Sequence, residues 1–338
     1  MSLRGLWPIL VFVFLLACSE EEAQRQPIEE EGLSQVLITE WVVPYESSRP
    51  RDPYVETANK VWFVGQRTGY LAYFDPETEE FTQIALAEGS GPHNIIADND
   101  GVAWYAGNIM GWIGRVDPDG SLTTIKMPLD EARDPHTLVE DERGNIWFTV
   151  QGGNYIGRLN KASLAVDLVQ VPTPGARPYG IDVDGNGRPW VSLFGTSKLA
   201  TVDPNTLELT EVDLPRTSAR PRRNIVTSDG AVWYVDYADG YLGRYDPASG
   251  DFEEWAAPAG SSSKPYGMAV DNEDRIWFVE TGQSPNTLAG FDTKAMQFFS
   301  LTPIESGAGS VRHMMYHGPT NTIWFGTDAN TLGRVTLP

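Results

Sequence analysis

The sequence predicts an all-β fold, a seven-bladed β-propeller, and three observations carry that reading. A tryptophan-centred motif recurs seven times at nearly constant spacing. The 338 residues include 33 Gly and 24 Pro with 11% aromatics, a composition of short strands and tight turns. The last repeat stops one strand early, and a spare strand precedes the first, so the two ends can complete one blade.

The motif is apolar-Trp-aromatic-apolar: VWFV, AWYA, IWFT, VWYV, IWFV and IWFG, with PWVS as the loosest copy. Its tryptophans are Trp62, Trp104, Trp147, Trp190, Trp233, Trp277 and Trp324, at gaps of 42, 43, 43, 43, 44 and 47 residues. Each unit opens with Pro and His or Tyr (DPHTLV, RPYGID), then an Asp/Gly turn, then the Trp strand. An apolar-Gly-Arg-apolar strand follows (YIGRLN, YLGRYD), and a fourth strand closes the unit. Four short strands per 43 residues is a propeller blade, since a parallel β-helix repeats at a far shorter period. A six-bladed ring with one degenerate repeat is the alternative, and seven recognisable tryptophans weigh against it. The segment VLITEWVVP (residues 36–44) reads as the fourth strand missing from the unit that ends at Pro338. Pairing there closes the ring and removes its exposed edges. One bulky aromatic per blade at a fixed register is expected to pack between neighbouring blades.

Ahead of the propeller lies an export signal. Arg4 precedes an apolar run over residues 6–17, too short for a bilayer, which takes roughly 20 residues, but of signal-peptide length. The run ends in L-L-A-C, which resembles the lipobox of bacterial lipoproteins. That resemblance implies a lipidated Cys18 and, with Ser19 next, an outer-membrane lipoprotein facing the periplasm. Residues 19–33 carry six Glu and one Arg with almost nothing to bury, so they read as an extended tether. The expected organisation is a signal peptide over 1–17, a lipidated acidic tether over 18–34 and the propeller over 35–338. A net charge of −21 disfavours nucleic acid and anionic membrane surfaces, which leaves membrane contact to the lipid anchor alone. One cysteine excludes an internal disulfide and every multi-Cys metal site. The expected state is a monomer.

Residues entering the innermost strands of a propeller converge on the central channel. Counting eleven back from each Trp (ten in the fifth blade) gives Arg51, His93, His136, Tyr179, Arg223, Tyr266 and His313. With Tyr54 of the same first segment, these are the candidate ligand-binding residues. Arg133, Arg177, Arg220, Arg222, Lys264 and Arg312 lie beside them, against few acids, Asp52 and Asp134. An acidic chain that gathers its cations around one mouth would draw in a small-molecule or anionic ligand. Gln66, Asn108, Gln151, Asp236, Glu280 and Asp328 follow the Trp strands. Among them Glu280 and Asp328, with His313 nearby, could hold a hard divalent cation and deprotonate a group it acidifies. A transition metal on His93 and His136 is a further alternative. The turns D-N-D-G (98–101) and D-V-D-G-N-G (182–187) resemble calcium loops, lack the spaced Glu of an EF-hand, and read as hairpin turns. No G-x-S-x-G, P-loop, dinucleotide fingerprint or H-E-x-x-H is present.

The repeated pattern P-H/Y-G-I … D-G-x-V-W-F-T-E … N-x-I-G-R resembles the streptogramin lyase (virginiamycin B lyase) family over residues 36–338. The resemblance implies a seven-bladed propeller that opens cyclic depsipeptides by magnesium-assisted elimination at the ester. It places the general base at His313, in V-R-H-M, and one metal carboxylate at Asp328. The second metal carboxylate of the family is Val311 here, and a substrate-contacting His is Tyr266. Two expectations stand together. One is a carbon–oxygen lyase with His313 as base and Mg²⁺ at Asp328 and Glu280. The other is a non-catalytic periplasmic binding propeller for an anionic ligand or a protein partner.

Overall fold

The computed structural model describes residues 32–338, so Cys18, the signal-peptide reading and nearly all of the tether lie outside the described residues. Among the described residues 28 strands form seven four-stranded antiparallel sheets. Blades 1 to 6 are built from residues 50–85, 92–126, 135–170, 178–213, 221–256 and 265–303, each in sequence order from the axis outwards. Blade 7 takes three strands from residues 311–336, and its outermost strand is Leu37–Val42 from the other end of the chain. That strand pairs with Thr331–Thr336 from Leu37↔Thr336 to Val42↔Thr331. The predicted closure is observed.

The tryptophans do what their period requires. The core divides into seven clusters, each spanning two blades, with the Trp of one blade packed on the next. Trp104 lies against Leu138, Ile146 and Phe148 of blade 3, and Trp324 against Val55, Phe63 and Phe74 of blade 1. Trp41 of the closing strand stacks on Trp324 with centroids 5.7 Å apart. In four blades the Gly of the Gly-Arg strand lies under the aromatic ring of its neighbour, so that a Cβ on Gly157 would meet Phe148 at 2.1 Å. That crowding, rather than backbone freedom, demands glycine there.

The Asp/Gly turns are hairpins, as expected. Asp98, Asp141, Asp184 and Asp271 each accept the indole N–H of the Trp six residues on, together with backbone N–H groups of the turn. These carboxylates are committed to fixing the turn against the Trp strand.

Candidate functional site

The innermost strands are Pro50–Thr57, Pro92–Ala97, Pro135–Glu140, Pro178–Val183, Pro221–Val226, Pro265–Val270 and Val311–His317. Strand pairing fixes how deep each of their residues sits. Val139 lies opposite Trp147, Ile225 opposite Trp233 and Met315 opposite Trp324. Measured from these partners, the level of His136 is occupied in blade 5 by Arg222 and in blade 7 by Arg312. The turn at Gly318–Thr320 and left-handed Asn321 adds one residue to blade 7. The convergent ring is therefore Arg51, His93, His136, Tyr179, Arg222, Tyr266 and Arg312. Arg223 and His313, expected in it, sit one residue further along the channel.

Five of the predicted residues do meet. The His93 and His136 rings pack tilted by 40° with centroids 3.6 Å apart, His136 lies 4.2 Å from Tyr179, and the Tyr179 and Tyr266 hydroxyls share a hydrogen bond. Their exposures are 4% for Arg51, 5% for His93, 2% for His136, 5% for Tyr179 and 1% for Tyr266, so they plug the channel rather than line an open mouth. His93 Nδ1–H donates to the His136 carbonyl at 3.0 Å, and His136 Nδ1 pairs with the Thr137 hydroxyl at 2.9 Å. Burial and the arginines hold both imidazoles neutral, well below the ordinary histidine range. The Nδ1 atom of each ring is thus engaged within the protein.

Below the ring Arg223 spans the channel. Its Nε donates to the Arg312 carbonyl (3.1 Å) and its Nη1 to Thr137 (3.0 Å), while Nη2 lies 3.7 Å from Asp52 and has no hydrogen bond. Asp52 is fully buried; it accepts from Arg51 Nε at 2.9 Å and Asn94 Nδ2 at 3.1 Å. Burial alone would raise its pKa, but Arg51, His313 and Arg223 outweigh that and hold it far below the carboxylate range.

Above the ring lies the mouth. Arg222 sits within an aromatic box, 3.7 Å from the Tyr266 centroid, 4.3 Å from Tyr237, 4.8 Å from Phe194 and 5.3 Å from Tyr179. Arg312 grips Asp328 through Nη2–Oδ2 at 2.5 Å and Nε–Oδ1 at 3.3 Å, and Arg49 reaches the same carboxylate at 3.4 Å. Burial and the crowding of Arg312, Arg67 and Arg51, against the pull of Asp328, lower the pKa of Arg49. Burial raises the Tyr179 phenol, yet Arg222, Arg51 and Arg223 bring it below its ordinary value. Both shifts report one positive field, made by Arg49, Arg51, Arg67, Arg222, Arg223 and Arg312 around Asp52 and Asp328.

The magnesium ligands inferred from the resemblance do not fit a cation. Val311 is apolar and fully buried, and Asp328 is neutralised by two guanidiniums. Glu280 accepts the Ala259 N–H at 2.8 Å and ties down the loop before blade 6. No group of three His, Cys, Asp or Glu side chains able to hold a metal occurs among the described residues. Asp236 likewise clasps Arg216 (2.8 Å) and the Arg220 N–H (2.8 Å). Polar residues that end the Trp strands thus serve mainly as clasps between blade and loop.

Beyond the ring, on the turn side, the channel holds a cavity of about 310 Å³. Arg223 and His313 lie at its inner end, Ile95, Leu138, Ile181, Met268 and Met314 form its walls, and Tyr54 and Asp182 lie further out towards the turns. His313 is half-buried, its Nδ1 bonded to nothing, and burial with Arg223 alongside lowers its pKa to about 4. Sequence reasoning grouped Tyr54, Arg223 and His313 with the mouth residues, whereas they line this cavity. It missed Asp182, absorbed into a turn motif, and the Arg312–Asp328 pair.

The sequence matches the virginiamycin B lyase family over residues 33–201 and again over 164–338. Similar solved structures include virginiamycin B lyase from Staphylococcus aureus, 21% identical, with a TM-score of 0.82 over 90% of this chain and all of that one. A streptogramin B lyase is 22% identical, with a TM-score of 0.80 over 91% of this chain and all of the other. A catalytically inactive variant of the Staphylococcus aureus enzyme with quinupristin matches at 21% identity and a TM-score of 0.82, over 90% of this chain and all of that one. No curated protein sequence matches.

Proposed function

This chain belongs to the virginiamycin B lyase family, and we propose that within it the protein binds an anionic ligand at the arginine-lined mouth without a metal ion. The observation that carries the reading is the double hold of Arg312 and Arg49 on Asp328, beside a buried apolar Val311. A hard cation gains its affinity from the number of carboxylates it meets, and Asp328, the one the resemblance assigns to it, is already held by two guanidiniums. The guanidinium of Arg222 beside them, in no ion pair among the described residues and with its Nε unbonded, suits a carboxylate or phosphate, which it can grip in fork geometry. The lipobox at Cys18 supports a place for this binding at the periplasmic face of the outer membrane.

Inorganic phosphate is the direct probe. Calorimetry in the presence of a chelator should show binding that weakens as salt screens the mouth over about 8–10 Å. Arg222→Met should weaken it at least about tenfold, roughly 1.4 kcal/mol. Binding that needs Mg²⁺, or that ignores Arg222→Met, would overturn the assignment.

A second reading is favoured by one observation. His313 is neutral, carries no hydrogen bond on Nδ1 and faces a cavity, as a general base for elimination on an ester-bearing or cyclic depsipeptide substrate would. With a pKa near 4 it would be a weak base, and the ring residues stand between it and the mouth. Elimination is therefore the less supported of the two.

A further inference from the structure

One position on the innermost strands breaks the sevenfold pattern. The residue paired with each central Trp is Tyr54, Ile96, Val139, Asp182, Ile225, Ala269 and Met315 in blades 1 to 7. Six blades place an apolar or aromatic side chain at this level, and blade 4 places a carboxylate. All seven residues line the cavity on the turn side of the channel. The level lies three residues beyond the plugging ring, roughly 10 Å along the strand at about 3.3 Å per residue. This site is thus separate from the arginine mouth.

Asp182 has no cationic partner among the described ion pairs. Its Oδ1 accepts the Val183 N–H at 2.9 Å and its Oδ2 the Val226 N–H at 2.8 Å. The other cavity carboxylate, Glu140, is already paired with Lys161. Asp182 is half-buried at the cavity wall, so an ionised carboxylate there loses part of its hydration, and a ligand can supply the missing countercharge.

We propose that this cavity binds a small molecule with an apolar body and a primary ammonium group, with Asp182 as the counter-ion. The walls of Ile95, Leu138, Ile181, Met268 and Met314 suit an apolar body, and Tyr54, at the same level on blade 1, adds an aromatic ring to the lining. Arg223 at the inner end repels a second positive charge, which orients the ammonium away from the plug. The cavity volume of 310 Å³ restricts the ligand to a small amine. Desolvation, with no cation alongside, raises the Asp182 pKa to about 6.

The test uses n-hexylammonium, with hexanoate and hexanol as isosteric controls, on the folded propeller at neutral pH. Calorimetry should detect the amine in preference to both controls. Asp182→Asn, which keeps an acceptor for the Val226 N–H, should lose at least tenfold in amine affinity, and Asp182→Glu should retain part of it. A raised carboxylate pKa favours the fold below the unfolded value and disfavours it as pH rises past the folded one. Asp182→Asn should therefore keep or raise the melting temperature at neutral pH. If Asp182→Asn lowers the melting temperature and leaves amine binding unchanged, Asp182 is only a clamp between blades 4 and 5. If hexanoate or hexanol binds as well as the amine, the cavity does not recognise charge. Either result overturns the proposal, as does no binding of the amine at all.

Discussion

Asp52→Asn should destabilise the propeller by about 3–5 kcal/mol in denaturant unfolding at neutral pH, the usual cost of removing one partner from a buried ion pair. The carboxylate is fully buried, bonded to Arg51 and Asn94 and approached by Arg223. Asparagine keeps the shape and tolerates the left-handed backbone at this position (φ 48°), so the change removes charge and little else. What remains is a pair of buried guanidiniums with no countercharge, the central channel being pinned by Arg223 across blades 1, 3 and 7. The pH dependence has a definite sign. A carboxylate whose folded pKa is depressed contributes stability above its unfolded value, about 4, and loses that contribution as pH falls towards the folded value. The gap between wild type and variant should therefore be full at neutral pH and narrow progressively below about pH 4. A loss under about 1 kcal/mol at neutral pH would mean that the cluster is not a structural pin.

Removing residues 1–44 should abolish the native monomer. The deletion takes away the closing strand, its six-residue ladder to blade 7, and the side chains of Val36, Ile38, Trp41 and Val43 from two inter-blade clusters. Four apolar side chains at about 1.5–3 kcal/mol each amount to roughly 6–12 kcal/mol, comparable to the whole stability of a typical domain. The loss also bares the edge of Thr331–Thr336, a template for pairing between chains. Size-exclusion chromatography should show aggregates or swapped oligomers, with near-ultraviolet dichroism lost from the Trp324 environment. A monomer that melts like the full propeller would refute closure by the N-terminal strand.

The parts of this molecule legible in its sequence are those that repeat. Seven tryptophans at one spacing fixed blade number, the inter-blade core and the turn chemistry, because each blade buries its neighbour by the same contacts. The missing strand of blade 7 told where residues 36–44 must go. Depth along the channel was less legible. Counting back from Trp324 fails by one residue, since Asn321 lengthens the turn of blade 7, and Arg312 rather than His313 takes the ring position. In blade 5 the shorter count chose Arg223, whereas strand pairing sets Arg222 there. The Arg312–Asp328 pair was invisible because its partners, 16 residues apart on the innermost strand and in the turn after the Trp strand, meet only through strand pairing. Asp182 could have been found by aligning the blades, where it is the one carboxylate among apolar equivalents. Its place in D-V-D-G-N-G disguised it as part of a turn.

We propose that arginines, not a metal ion, serve the mouth of this propeller. Incubating the purified chain with quinupristin, with and without millimolar Mg²⁺, and following ring opening by mass spectrometry tests it most directly. Quinupristin should remain intact under both conditions. Opening that requires Mg²⁺ and disappears in both His313→Ala and Asp328→Ala would contradict it.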